Sequence, residues 1–174
     1  MKMFAGVLCL AMAGAATARA AEPNSAVLTP IHQFIGSFNK GDLATARATH
    51  AADASIQDEV PPHVWRGPGA FDAWAADLGK ASKAAGMTDE SVALGKPLRI
   101  EVDGDAAYVV AATAFNYRQH GRRMTEAARM VFSLHQEPAG WKISAWAWAG
   151  EAPHPAAAHR AGAAAPPAAP AAKP

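Results

Sequence analysis

Cysteine is nearly absent from this sequence, since Cys9 is the single one among 174 residues. It lies in an apolar run over residues 4–16, which follows a lysine and precedes Ala18-Arg19-Ala20, a small-x-small cleavage sequence. This pattern predicts a secretory signal peptide over residues 1–20, because the apolar run is too short to span a membrane. Its removal would leave a chain without thiols, which excludes disulfides and a cysteine nucleophile from the mature protein.

A strong net charge of either sign is also lacking. The formal net charge is +1, and removal of Lys2 and Arg19 with the signal peptide takes away two positive charges and leaves −1. A near-neutral chain lacks the positive field with which proteins hold nucleic acid. We therefore expect an exported protein, periplasmic or secreted, with no nucleic-acid partner and no membrane attachment after cleavage.

Motifs of the common catalytic and cofactor-binding classes are missing. The sequence has no Gly-x-Ser-x-Gly nucleophile elbow and no Gly-rich phosphate loop. The histidines between residues 24 and 150 include no pair at metal-ligand spacing. The sequence therefore predicts no metal site and no bound cofactor.

Residues 151–174 show no periodic apolar face. Half of them are alanine and a quarter are proline. Such a segment buries too little surface to offset its ordering entropy. We expect a disordered, extended tail here, which leaves residues 24–150 as the folded domain.

The first half of this domain shows helical periodicity. The first predicted helix begins at the capping pair Thr29-Pro30 and ends at Gly41, the second runs from Leu43 to His50 after Asp42, and the third opens at Pro68-Gly69 and ends near Gly86. A brief strand is predicted over residues 54–60, before two prolines.

The second half alternates with a period of two. Four strands are predicted over residues 91–102, 106–118, 124–136 and 141–148, separated by turn-forming residues. Pro97 indicates an edge position or a bulge in the first of them. Helices followed by a strand meander predict an α+β domain, with helices packed on one face of a curved antiparallel sheet.

Three local sequences carry a family resemblance. Phe38-Asn39-Lys40-Gly41-Asp42 is similar to a helix-end Gly-Asp turn, Trp65-Arg66-Gly67 to an Arg-Gly segment before an amphipathic helix, and Trp141-Lys142-Ile143 to a final strand. In this order, over about residues 27–150, they resemble the nuclear transport factor 2-like superfamily, especially its SnoaL-like branch. The resemblance implies a cone-shaped α+β roll of the cystatin-like kind around an apolar pocket. It also implies a homodimer formed through the sheet.

Ketosteroid isomerases of this superfamily use a basic carboxylate and an oxyanion hole made of a tyrosine and a protonated aspartate. The resemblance puts Asp58 at the carboxylate, Phe34 at the tyrosine and Ala128 at the aspartate. Neither Phe34 nor Ala128 can donate a hydrogen bond, and loss of one oxyanion donor commonly costs about 10²–10³ in rate. A standard ketosteroid isomerase site is therefore not expected.

Two carboxylates are the candidate catalytic residues. Asp58 is either a general base with a pKa raised by burial or a solvated strand end. Glu126 shares a strand face with apolar residues, so it is either functional or paired with an arginine, for which Arg99, Arg118 and Arg129 are candidates. The predicted ligand pocket is lined by Phe34, Phe38, Trp65, Trp74, Ala128, Met130, Phe132 and Trp141.

The last strand carries three of the five tryptophans. Strict alternation puts Trp141 on the pocket side with Ala145 and Ala147, and turns Trp146 and Trp148 to the outer side of the sheet. On this interpretation the pocket is dry, and a second copy of the chain covers the two outer tryptophans.

Three functions remain open from the sequence. The first is an exported pocket protein that binds a small apolar or amphipathic molecule and catalyses nothing. The second is an enzyme of the lyase or isomerase type that uses Asp58 as its general base. The third is a non-catalytic dimerisation module.

Overall fold

The computed structural model describes residues 23–157, so the predicted signal peptide and most of the predicted tail lie outside the described residues. The helices are α1 (Pro23–Phe38), α2 (Leu43–Ala48) and α3 (Ala70–Ala84). The strands are β1 (His50–Gln57), β2 (Val64–Arg66), β3 (Met87–Asp103), β4 (Ala106–Gln119), β5 (Arg122–Glu137), β6 (Gly140–Gly150) and β7 (His154–Pro155). None of the helices in this part of the chain is long and apolar enough to cross a membrane.

Helix α1 begins well before its predicted capping pair. Val27, Ile31 and Phe34 are all buried, so one apolar face runs through the proposed start. Pro30 lies inside the helix. The Thr29 hydroxyl donates back to the Ser25 carbonyl at 3.0 Å and caps nothing. The prediction of a start at Thr29 was therefore wrong.

The start of α2 follows the prediction closely. Gly41 takes a left-handed conformation with φ of 72°, which a residue without a Cβ adopts at little cost. The Asp42 carboxylate then accepts a hydrogen bond from the Thr45 backbone N–H at 3.0 Å. This is an N-cap, because it satisfies one of the backbone donors left unpaired at a helix start.

The strands form one curved sheet in the order β2-β1-β6-β5-β4-β3, with β7 beside β5. Paired strands are antiparallel except β1 and β6, which are parallel. Strand β3 is an edge, and its register shifts on both sides of Pro97, which confirms the edge and bulge prediction. Strand β1 ends at Gln57, so residues 58–60 lie in the loop before β2 and not in a strand.

One face of the sheet packs against α1 and α3 and forms the core. On β4 and β5 the core residues alternate with exposed or half-buried ones, as expected for a sheet covered on one side. The most deeply buried side chains are Phe34, Phe132, Ile31, Ile56, Met130, Ile143, Val27 and Val109.

A β-bulge in β6 overturns the predicted sides of this strand. Ser133 of β5 pairs with Ala145, whereas the next residue, Leu134, pairs with Ile143, so Ser144 is the extra residue. An extra residue breaks the two-residue alternation. Ile143 and Trp146 are therefore buried on the same face, at 0% and 3% exposure.

The chain beyond β6 stays against the sheet. The backbone N–H of Glu151 donates to the Ala127 carbonyl at 2.8 Å, and that of Ala156 donates to the Arg123 carbonyl at 3.0 Å. Strand β7 between them pairs with Met124 and Thr125 of β5. Residues 151–157 thus differ from the predicted extended tail, because their backbone finds partners on β5 past the end of β6.

Candidate ligand-binding cavity

A cavity of about 270 Å³ lies between α1, α3 and the inner face of the sheet. Four of the predicted pocket residues line it: Phe34, Phe38, Trp74 and Met130. The two predicted carboxylates, Asp58 and Glu126, line it as well. The rest of its apolar wall includes Ile35, Val60, Leu78, Met87, Val92, Phe115, Trp146 and Trp148.

Four other predicted pocket residues lie away from the cavity. Phe132 and Ala128 are buried at 0% and 8% exposure, on the same strand face as Met130 but outside the lining. Trp65 is buried and donates through Nε1 to Asp77 Oδ2 at 3.0 Å. Trp141 packs against the core opposite Gln136, near the other end of β5 from Glu126. A side chain that faces the inside of the sheet therefore does not always line the cavity. At these four positions it packs in the core instead.

The two tryptophans predicted to face outward are in the cavity wall. Trp146 and Trp148 both line it, and the outer side at this point carries Ala145 and Ala147. The interpretation of a dry pocket bordered by those alanines was therefore wrong, and so was the idea of two outer tryptophans covered by a second copy. The bulge at Ser144 is the cause.

Asp58 lies at the cavity in the loop after β1, with both carboxylate oxygens hydrogen-bonded. Trp74 Nε1 donates to Oδ2 at 2.6 Å, and the Glu59 backbone N–H donates to Oδ1 at 2.6 Å. Burial raises the pKa of Asp58, and these hydrogen bonds to the charged form act in the opposite direction. The carboxylate is held by its neighbours and is not a freely solvated strand end.

Glu126 is 5% exposed and has no arginine partner among the described residues. Trp148 Nε1 donates to its Oε1 at 2.6 Å. The predicted partners lie elsewhere: Arg118 pairs with Asp89, Arg99 pairs with Glu101, and Arg129 is exposed on the opposite strand face. Burial raises the pKa of Glu126, and the negative charges of Glu59 and Asp58 raise it further.

Glu59 is a third carboxylate at the cavity, and the sequence analysis did not single it out. A Cβ added at Gly150 would overlap both Glu59 Oε1 and Glu126 Oε1, so the two carboxylates converge on the same point of the backbone. Burial and the charge of Asp58 raise the pKa of Glu59. The sequence shows that Glu59 lies shortly before two prolines. Its proximity to Glu126 depends on the pairing of β6 with β5, which places Gly150 beside both carboxylates.

Tyr117 on β4 was also missed. It is 5% exposed and lines the cavity, and its hydroxyl has no hydrogen-bond partner among the residues the structure describes. Burial raises its pKa, and the charges of Glu126 and Glu59 add to this effect. Alternation along β4 from the buried Val109 gives Tyr117 the same face, a signal that could have identified it.

His50 supports the cavity wall from behind. Trp146 Nε1 donates to His50 Nε2 at 3.0 Å, and His50 Nδ1 lies 3.0 Å from the Ala46 carbonyl. These partners require a neutral ring with its proton on Nδ1. Burial lowers the pKa of His50 to about 4, consistent with that neutral form.

The site therefore offers an apolar, mostly aromatic cavity with a carboxylate cluster at one side. Within residues 23–157, no three histidine, cysteine, aspartate or glutamate side chains are placed to hold a metal ion. Of the two residues that the resemblance puts at the oxyanion donors of ketosteroid isomerases, Phe34 lines the cavity and Ala128 is buried outside its lining.

Comparisons with known proteins agree with this architecture. The chain is similar to hexachlorocyclohexane dehydrochlorinase LinA-type3 from Novosphingobium barchaimii LL02, at 15% identity and a TM-score of 0.64 over 78% of this chain and 90% of that one. It is also similar to a nuclear transport factor 2-like protein from Salmonella enterica serovar Typhimurium, at 19% identity and a TM-score of 0.61 over 74% and 90%. A ketosteroid isomerase-like protein from Erwinia carotovora atroseptica gives 16% identity and a TM-score of 0.57 over 74% and 95%.

At such identities the structural matches show the fold alone. No curated protein sequence matches the chain. A family model does, and its description is the SnoaL-like domain, matched over residues 19–147. This match spans most of the chain and ends at Ala147, within β6, so it includes all of the cavity lining except Trp148 and Pro153. The chain therefore belongs to the SnoaL-like domain family, and its fold is that of nuclear transport factor 2-like proteins.

Proposed function

We propose that this chain is an exported pocket protein that binds a small apolar or amphipathic molecule. The observation that carries the proposal is the cavity of about 270 Å³ with its aromatic walls, which include Trp74, Trp146 and Trp148. A concave apolar site with a few convergent polar groups is the usual form of a small-molecule site. The proposal of export rests on the N-terminal sequence over residues 1–20.

Purification from the native host followed by native mass spectrometry tests this function. We expect a small molecule of defined mass to be retained and to be released on unfolding. A chain that is free of ligand, and that also binds no hydrophobic probe, would contradict the proposal. The same spectrum reports whether the chain is a homodimer.

A homodimer through the sheet is the arrangement we propose for the assembled protein. The outer face of β4–β6 carries small residues, among them Ala112, Ala114, Ala145 and Ala147. Small side chains let a second sheet approach closely. Val131→Glu, in the middle of this face, should convert a dimer to a monomer in native mass spectra. An unchanged dimer would refute this face as the interface.

A lyase or isomerase that uses Asp58 as a general base is the second candidate. The raised pKa of Asp58 beside the cavity favours it, because a general base needs a pKa near the operating pH. Two observations weigh against it: both oxygens of Asp58 accept hydrogen bonds, and Phe34 offers no oxyanion donor. Should turnover of any substrate be found, Asp58→Asn must abolish it, and unchanged turnover would remove Asp58 from this role.

A further inference from the structure

The charged groups that line the cavity all have one sign. Asp58, Glu59 and Glu126 line it, and its lining includes no lysine, arginine or histidine among the described residues. His63 lies outside the lining, and its Nδ1 is 3.2 Å from the backbone carbonyl oxygen of Asp58. The cavity thus lacks a positive charge to balance its carboxylates.

Glu126 has unused hydrogen-bonding capacity toward this space. Its Oε1 accepts from Trp148 Nε1, and no donor among the described residues reaches its other oxygen. The residue is only 5% exposed. The other oxygen is accessible, because it is not among the buried side-chain atoms without a partner, so a cavity ligand that supplies donors and positive charge can pair with it.

Tyr117 is an independent second sign of a ligand. The residue is 5% exposed and lines the same cavity, and its hydroxyl has no hydrogen-bond partner in the described residues. This oxygen is accessible, because it is not among the buried side-chain atoms without a partner, so a ligand in the cavity can reach it. A ligand head group between Tyr117 and Glu126 would give both of them a partner.

Aromatic residues neighbour Glu126 on the adjacent strands. Phe115 lies opposite Glu126 across the β4–β5 ladder. Its ring centroid is 5.0 Å from that of Tyr117 and 6.4 Å from that of Trp148, the latter at an interplanar angle of 83°. A cation bound at Glu126 would thus lie beside aromatic rings, and the face of such a ring attracts a cation.

We propose that the ligand carries an organic cation, an ammonium group on an apolar body, with the ammonium between Glu126 and Tyr117. This inference rests on the proposed function, since it names the class of molecule that the cavity binds. A divalent metal ion fits less well, because such ions require several oxygen ligands in one shell and no such group is placed in the described residues. The apolar body lies against Phe34, Phe38 and Trp74.

Three probes with the same two-ring body test the proposal by isothermal titration calorimetry: naphthylmethylammonium, naphthylmethanol and naphthoate. We expect the cation to bind at least about tenfold more tightly than the alcohol, since charge-assisted hydrogen bonds exceed neutral ones by roughly 1.4 kcal/mol or more. The anion should bind most weakly. Alcohol binding as tight as that of the cation would overturn the inference and leave the pocket function standing. Failure of all three probes to bind would overturn both.

Variants that remove a single carboxylate charge or hydroxyl group identify which side chain binds the cation. Glu126→Gln, an isosteric change, should weaken the cation about tenfold or more and leave the alcohol within about threefold. Tyr117→Phe should reduce cation affinity by a smaller factor, and it keeps the test open if Glu126→Gln fails to fold. Glu101→Gln is the matched control, because it removes an exposed carboxylate on β3. Equal effects of the Glu101 and Glu126 variants would reduce the proposal to a general charge effect and refute it.

The pH dependence gives a further readout. The pKa values of Asp58, Glu59 and Glu126 are all raised in the free protein, and the cation requires ionised carboxylates. Affinity for naphthylmethylammonium should therefore rise as pH increases through these raised pKa values, with release of protons on binding, whereas affinity for naphthylmethanol should stay flat. Parallel pH profiles for the two probes would contradict the proposed site.

Discussion

The stability of the protein should depend on pH through His50, and the size of this effect follows from the structure. His50 is 8% exposed, accepts a hydrogen bond from Trp146 Nε1, and has its pKa lowered from 6.5 to about 4 by burial. Between these values the unfolded chain binds a proton that the folded chain does not. The free energy of unfolding therefore falls as pH falls from 6.5 to about 4.

At about 1.4 kcal/mol for each pH unit of that window, the loss amounts to about 3 kcal/mol. Urea unfolding followed by circular dichroism at a series of pH values measures it, with His50→Gln as the test variant. The carboxylates of the cavity titrate in part of the same range with the opposite sign, so the useful quantity is the difference between wild type and variant.

This difference should change by about 3 kcal/mol across the window, because glutamine cannot titrate. The control is His32→Gln, which removes an exposed histidine on α1. Its pH dependence should match that of the wild type. A His50→Gln variant that retains the wild-type pH slope would refute a buried, neutral His50.

Three further predictions follow from individual contacts, and each is measured by chemical unfolding. Gly150→Ala should lower stability by roughly 1–3 kcal/mol, because the new Cβ overlaps Glu126, Glu59 and Trp148; an unchanged midpoint would show that these side chains move aside freely. Trp148→Phe should cost roughly 1–3 kcal/mol at neutral pH by removing the donor to Glu126. This loss should shrink as pH falls through the raised pKa of Glu126, and a loss independent of pH would point to packing instead. Gly79→Ala should raise stability by roughly 0.5–1 kcal/mol, because the position lies inside α3 with open space at its Cβ; a destabilised variant would contradict this open space.

Local patterns in the sequence predicted the α+β fold because each acts over a few residues. The Asp42 cap, the left-handed Gly41 and the edge position of Pro97 all depend on short-range chemistry that the sequence displays directly. The alternation along β4 and β5 likewise gave strand extents within a few residues of those observed.

The candidate site was only partly predictable, because it depends on register between distant segments. The bulge at Ser144 has no marked sequence signal, yet it turns Trp146 and Trp148 from the outer side into the cavity. Glu59 and Glu126 meet at Gly150 only once β6 has returned along β5. The prediction of an arginine partner for Glu126 was also wrong. Its hydrogen-bond donor is Trp148, which the pairing of β6 with β5 brings beside it.

Filling the cavity tests the central claim most directly. Ala81 lines the cavity from α3, whereas Ala76 on the same helix is exposed, so Ala81→Phe and Ala76→Phe form a matched pair. In calorimetric titrations with naphthylmethanol, we predict binding to the wild type and to Ala76→Phe, and a loss of at least about tenfold in Ala81→Phe. Equal binding to both variants, or none to the wild type, would contradict a ligand site in this cavity.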